Sequence, residues 1–259
     1  MNLLNQKSLI IYIFVYLFFL PGFVLSQDQI DTTKNKIDSR GFKQGEWITK
    51  DGRNTKIGSY TDDQKHGQWV TFNENDYVSL VENYEHGILD GFVVKMDNRG
   101  YVNSSVSWNM GEKDGKELEY TYGGRVIGLK TWKNGQLDGL TTLYYDNGKL
   151  QENGNYSQNK RNGLTTWYDY DGNKIAEYMY YQGQLNGDQK TFYPTGELKT
   201  KETYIYDIMQ GEHVQYHKNG AIWYRGLIIN GKKDGVWFEY DESGVQKARL
   251  NYKNGLLVK

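Results

Sequence analysis

The sequence has no cysteine among its 259 residues. That excludes disulfide scaffolds, cysteine-ligated zinc, thiol nucleophiles and the acylated cysteine of a bacterial lipoprotein. Proline is nearly absent, with only Pro21 and Pro194, and neither sign of charge is in excess. Lys and Arg total 31 against 32 Asp and Glu, a formal net charge of -1. A chain so balanced has no bulk field to recruit nucleic acid or an anionic bilayer. Beyond residue 27 there is no helical a/d pattern of useful length. Glycine is abundant, at 30 residues, and aromatic side chains make up 15% of the chain. That aromatic content is too high for a disordered polymer.

The one long apolar run, Leu9 to Leu20, lies at the amino end behind a single basic residue, Lys7, and is followed by Pro21 and Gly22. At about a dozen residues it falls short of the ~20 that a spanning helix needs. Val24 and Ser26 supply the small side chains a signal peptidase requires, so residues 1–26 are predicted to be a signal peptide cut before Gln27. Export to a periplasm or the extracellular space follows. Residues 27–40 are polar and aperiodic and are expected to be a flexible lead-in, leaving 41–259 as the folded domain.

A 24-residue ruler runs through that domain. Gly67, Gly91, Gly115, Gly139, Gly163, Gly187, Gly211 and Gly235 are evenly spaced, and Gly45 precedes them by 22. Five residues after this repeat glycine the chain is aromatic in Phe72, Tyr120, Tyr144, Tyr168, Phe192, Tyr216 and Tyr240. Nine after it a second glycine recurs, from Gly100 to Gly244, and seventeen after it stands another aromatic row that includes Tyr84, Trp108, Trp132 and Tyr156. Asn-Gly and Asp-Gly pairs, which favour tight turns, occur at 51-52, 134-135, 147-148, 171-172, 219-220, 230-231 and 254-255. They also occur at the repeat glycines, at 90-91, 114-115, 138-139, 162-163, 186-187 and 234-235. All are read as places where strands reverse. The stretches between carry Tyr, Trp, Thr, Val and Ile with partial alternation, so each unit reads as a β-hairpin. Sets such as Phe92-Val94-Met96 and Val236-Phe238-Tyr240 are expected to point to one buried face.

The unit Gly135 to Tyr156 resembles the MORN repeat in its bacterial variant form, G-x-x-D-G-x-x-x-x-Y-x-x-x-G-x-x-x-x-x-G-x-Y. The resemblance covers about residues 41 to 259, as eight repeats and a truncated ninth. It departs from the pattern where only Gly58, Gly154 and Gly226 keep the glycine before the second aromatic, and where Asp207 replaces a late turn glycine. It implies an all-β, elongated, twisted antiparallel sheet of tandem hairpins that serves interaction or scaffolding rather than catalysis. Roughly eighteen strands at about 4.8 Å spacing predict a ribbon of order 80 to 90 Å by about 20 Å. Such a ribbon draws its stability from nearest neighbours, with 41–44 and 256–259 as its expected caps. The repeat glycines and the row tyrosines Tyr120, Tyr144, Tyr168, Tyr216 and Tyr240 are accordingly read as structural.

Little catalytic chemistry is visible. His213 and His217 stand four apart, which on a strand is about 13 Å, too far for joint coordination. Asp90, Asp114, Asp138 and Asp234 alternate with Asn162, Asn186 and Gln210 before the repeat glycine, which suits turn capping better than calcium. Glu117, Glu119, Glu177 and Glu239 are read as solvated strand residues. No metal, cofactor or catalytic residue is expected. Function is sought where the units differ. Trp167, Tyr170, Tyr181, Tyr206, Trp223 and Tyr224 are extra aromatics of units six to eight, counting Gly45 as the first, and form the expected binding surface. The leading expectation is a scaffold for another envelope or extracellular protein, without nucleic acid or strong membrane binding. A glycan-binding module that uses the aromatic rows is the alternative. The antitoxin label carried by bacterial relatives is a further one, which export opposes.

Overall fold

The structure, a computed structural model, describes residues 34–258. The expected signal peptide and residues 27–33 of the expected lead-in lie outside the described residues. Among the described residues there is no helix. Twenty-three strands form one antiparallel sheet in which each pairs with its neighbours along the chain. The eighteen expected strands are present, two to a unit, as Lys160–Tyr168 and Lys174–Tyr181 are in the sixth. Lys36–Ile37 and Leu256–Val258 add one at each end. Asp90, Asp138 and Gln210 each break a strand in two, setting off Ile88–Leu89, Gln136–Leu137 and Ile208–Met209.

The leading edge differs from expectation. Residues 34–40 are not loose chain where they are described: Lys36 pairs with Gln44, and Ile37 with Lys43. The Asp38 carboxylate accepts the backbone N–H groups of Arg40 and Phe42, which closes the turn between them. These bonds, with the Arg40 guanidinium, hold its carboxyl down to about 2. The first cap is therefore Lys36–Ile37, while Lys43 and Gln44 already belong to the first repeat strand. The far cap is as expected, with Leu256–Val258 paired to Asn251–Lys253.

Two kinds of turn alternate. The short ones place two successive residues at positive φ, as in Asn134-Gly135 and Asn254-Gly255, which is the backbone of a type I′ hairpin. Tyr206-Asp207 adopts it too, at 47° and 65°, so the lost glycine of unit seven leaves its turn geometry unchanged. The long turns end on the second glycine. They are closed by a side chain six residues after the repeat glycine: Asp97 accepts from Arg99 and Tyr101, and Asp241 from Ser243 and Val245. Tyr145, Tyr193 and His217 occupy the same place and instead donate to a backbone carbonyl of the next unit.

The repeat glycine is not a turn residue. Asn-Gly and Asp-Gly pairs such as 114-115 and 162-163 lie inside strands, where the pairing slips: Val106 faces Glu117, yet Trp108 faces Lys113. Such a bulge needs a residue in the left-handed region, and Gly139, at φ 114°, supplies it. The preceding Asp is used as the turn chemistry predicts. Asp90, Asp114 and Asp234 accept the N–H of Met110, Asn134 and Asn254, the first residues of the next short turns.

The core also departs from the expected rows. The aromatics at five and seventeen are half-buried, and Phe92, expected inside, is exposed. Burial is deepest two residues after the repeat glycine, at Trp69, Val93, Thr141, Thr165, Gln189, His213 and Trp237, with Trp237 only 1% and Thr165 0% exposed. Residues fifteen after the glycine stand between them, giving a ladder across the sheet. Trp69 faces Glu82, Val93 faces Val106, and Gln189 lies between Tyr178 and Glu202. The partners compensate in size: a Cβ on Gly58 would lie 2.2 Å from the Trp69 ring, and one on Gly226 2.1 Å from the Trp237 ring. Of the surviving glycines of that column, Gly58 and Gly226 lie under an indole, and Gly154 under the Thr165 side chain, 2.7 Å from where its Cβ would stand.

Candidate aromatic and cationic cleft

The ladder face is built from three adjoining rows, and the pleat decides which side chains join it. Beside the ladder runs the seventeenth-residue aromatic row, and against it stands the residue two before each repeat glycine. Five units place a cation there and the rest an apolar residue, Leu89, Leu137, Leu185 or Met209. The cations lie over rings: Lys65 Nζ is 4.6 Å from the Trp69 centroid and 4.4 Å from that of Tyr84. Arg161 approaches Tyr156, Trp167 and Tyr180. Contacts of this kind are worth about 0.5–1 kcal/mol when exposed and about 2 when desolvated.

Carboxylates on this face are paired rather than solvated. Glu117 accepts from Trp132 Nε1 at 2.6 Å and Lys113 Nζ at 3.0 Å, which corrects its reading as an outer-face residue. Glu152 pairs with Arg161 and accepts from Trp167 Nε1. Glu119 on this face and Glu177 on the opposite one are ion-paired with Lys130 and Lys174. His213 Nδ1 lies 3.0 Å from Glu202 Oε1, a charge contact that lacks hydrogen-bond alignment. His213, opposed by burial and assisted by the Tyr204 hydroxyl, holds the Glu202 carboxyl below its usual range. His217 is in a long turn, away from this contact, and its Nε2 is 2.8 Å from the Tyr240 carbonyl oxygen.

The face opens into a cleft of about 640 Å³ over units eight and nine. Trp237 forms its floor, flanked by Tyr224 at 4.8 Å and His213 at 5.6 Å between ring centroids. Lys233 Nζ sits 4.6 Å from both the Tyr224 and Trp237 rings and 2.8 Å from the Tyr224 hydroxyl. Gln215 and Glu239 supply polar groups, and Met209, Ile228 and Leu250 apolar ones.

Of the six aromatics expected to form one surface, the structure brings only Trp223 and Tyr224 to this cleft. Trp167 is on the same face farther along, packed on Tyr178 at 5.1 Å. Tyr170 lies in a long turn, stacked on Tyr145 and donating to Asp146. Tyr181 and Tyr206 meet edge to face at the opposite edge, in the row of short turns. The six thus occupy four places, because strand parity and turn position separate residues that are close in sequence. Sequence reasoning missed Lys233 and Trp237. The tryptophans two residues after Gly45, Gly67 and Gly235 were the available signal.

Comparison with known families agrees with this geometry. The sequence profile of the MORN repeat variant matches residues 137–158, 185–206 and 233–254. No curated protein matches the chain. Each matched stretch starts two residues before a repeat glycine, at the position that holds a cation or an apolar residue against the aromatic row, and the intervening units keep the same ruler. The chain carries MORN repeats of the variant kind at these three stretches, within one open antiparallel sheet of hairpin units.

Proposed function

We propose that this chain is an exported, non-enzymatic scaffold that binds another envelope or extracellular protein in the cleft over units eight and nine. MORN repeats generally mediate protein or membrane interactions. The observation that carries the protein reading is the cleft itself, with an indole floor, an exposed Trp223 at its rim and a lysine held among rings. Aromatic anchors beside a cation, surrounded by polar residues, are the composition of a protein-binding hot spot. The pairing of Glu117, Glu119 and Glu152 on this face supports a binding role over acid-base catalysis, which needs groups poised to exchange protons. Neutral overall charge favours a protein partner over an anionic bilayer.

A glycan is the second reading, favoured by one feature. Trp223 is 42% exposed and adjoins Gln215 and Glu239 in the cleft, so a flat ring and hydrogen-bonding groups face the same space. The antitoxin reading requires a chain retained in the cytosol and stands or falls with the leader. A photo-crosslinking residue at Trp223, compared with one at Phe92 on the opposite face, tests the proposal in the producing cells. A discrete protein adduct from 223 alone supports the scaffold. Polysaccharide adducts move the assignment to the glycan, and equal adducts from both positions refute the cleft. The mature amino terminus, read by mass spectrometry, decides export: Gln27 supports it and an intact Met1 overturns it.

A further inference from the structure

The residue before each repeat glycine has one duty along most of the sheet: an oxygen acceptor for the N–H that opens the next short turn. Gln44, Asp90, Asp114, Asp138, Asn162, Gln210 and Asp234 all direct an oxygen there. Unit two breaks the rule with His66. The next short turn opens with His86, at a position that varies along the sheet and holds Met110, Gln158 and Tyr206 as well as Asn134, Asn230 and Asn254.

The two histidines meet. His66 Nδ1 lies 3.6 Å from Glu85 Oε2, and His86 Nε2 lies 3.2 Å from Glu85 Oε1. The imidazole centroids are 5.7 Å apart, and one donor atom from each of the three residues falls within 4.8 Å of the others. His66 Nδ1 is shielded from solvent and makes no hydrogen bond. The backbone fixes the arrangement: His86 is held in the left-handed region at φ 46°, and Gly87 N–H donates to the Lys65 carbonyl at 2.7 Å, tying the turn to the strand of His66.

We propose that His66, Glu85 and His86 form a binding site for a divalent transition-metal ion of the zinc class, with water in the remaining position. Two imidazoles and one carboxylate are a donor set for zinc, whose tetrahedral bonds of about 2.0–2.2 Å place ligands about 3.3–3.5 Å apart. One donor atom from each residue lies within 4.8 Å of the others, and rotation of the exposed Glu85 and His86 side chains supplies the contraction to zinc geometry. One carboxylate and two nitrogens suit calcium and magnesium poorly, since those ions take mainly oxygen ligands. The bound ion would link the turn between units two and three to the strand beneath it. The site is independent of the cleft over units eight and nine.

Isothermal titration of the chain, free of any polyhistidine tag, with zinc, nickel, calcium and magnesium chlorides tests the site. One saturable zinc per chain is expected, with no calcium or magnesium binding. His66→Asn and His86→Asn each place a side chain that other units already carry at that position, so the fold is preserved. Each is expected to weaken zinc binding by about tenfold or more. A thermal melt with zinc should rise for the parent and stay flat for both variants. No saturable zinc binding, or binding that both variants retain, overturns the proposal.

Discussion

Substituting Ala for Gly226 isolates the size compensation that holds the ladder together. The backbone of Gly226 is outside the left-handed region, so Ala is conformationally allowed there, yet its Cβ would stand 2.1 to 2.4 Å from three atoms of the Trp237 ring. The indole cannot yield freely. It is 1% exposed, packed among His213, Tyr224 and Tyr252, and its Nε1 donates to the Leu227 carbonyl at 3.2 Å. Overpacking of this kind costs about 1–3 kcal/mol. Full expulsion of an aromatic burying roughly 150–250 Å² sets an upper bound of about 4–6 kcal/mol at ~25 cal/mol/Å². We expect about 3 kcal/mol, read as a lower urea midpoint with an unchanged slope in far-ultraviolet dichroism. Trp237→Val alone leaves a void and costs about 2–4 kcal/mol. In combination with Gly226→Ala it approaches the small Gly154–Thr165 pair of units five and six, and the double variant should recover about 1–2 kcal/mol relative to the sum. Gly226→Ala within about 0.5 kcal/mol of the parent, or strict additivity of the two changes, would refute the packing argument.

The Tyr84 and Tyr204 hydroxyls are pushed up to about 12 by burial, with Glu82 and Glu202 beside them adding to the effect. Each stays neutral in the fold where the unfolded side chain ionises, so their contribution is complete below about pH 10 and is lost as pH rises toward 12. Thermal melts at about pH 9 and about pH 11.5 should show a drop that is smaller in the Tyr84→Phe/Tyr204→Phe variant; equal drops contradict this. Tyr144→Ala removes a half-buried row aromatic and should cost about 1–3 kcal/mol, and an unchanged melting temperature would remove that row from the core. Mixed with vesicles rich in acidic lipid at physiological salt, residues 27–259 should stay in the supernatant, and co-sedimentation would overturn the exclusion of anionic membranes.

The features legible in the sequence were those that every unit repeats at fixed offsets. The eighteen strands, both turn rows, and the Asp90 and Asp114 caps all follow from local backbone demands, and such demands leave a residue type in a column. The ladder left only the tryptophans of three units, Trp47, Trp69 and Trp237. Trp69, Val93, Thr165, Gln189 and His213 share a position but no chemistry, and three of them are matched in size or charge to a partner eleven residues earlier, Trp69 to Gly58, Thr165 to Gly154 and His213 to Glu202. A search for compensating pairs at that spacing would have found the column. The repeat glycines were misread as turn residues because positive φ serves a bulge as well as a turn. His66 and His86 were passed over because their meeting depends on the pairing of strands across a turn, which no short spacing expresses.

In a sheet where each hairpin packs on its neighbours, an exception to the ruler costs only the contacts around it, so the exceptions can carry tasks of their own. His66 gives up a turn cap, and His86 a residue better suited to positive φ. Trp223 and Tyr224 depart from the aromatic rows beside an indole that the ladder has buried. These departures stand in units two and eight, with intact units between them. Nearest-neighbour coupling then makes the two regions separable by experiment. His66→Asn should leave crosslinking through position 223 unchanged, and Trp223→Ala should leave zinc binding unchanged. A loss in both from either single change would show that the units act together, against the nearest-neighbour account of this sheet.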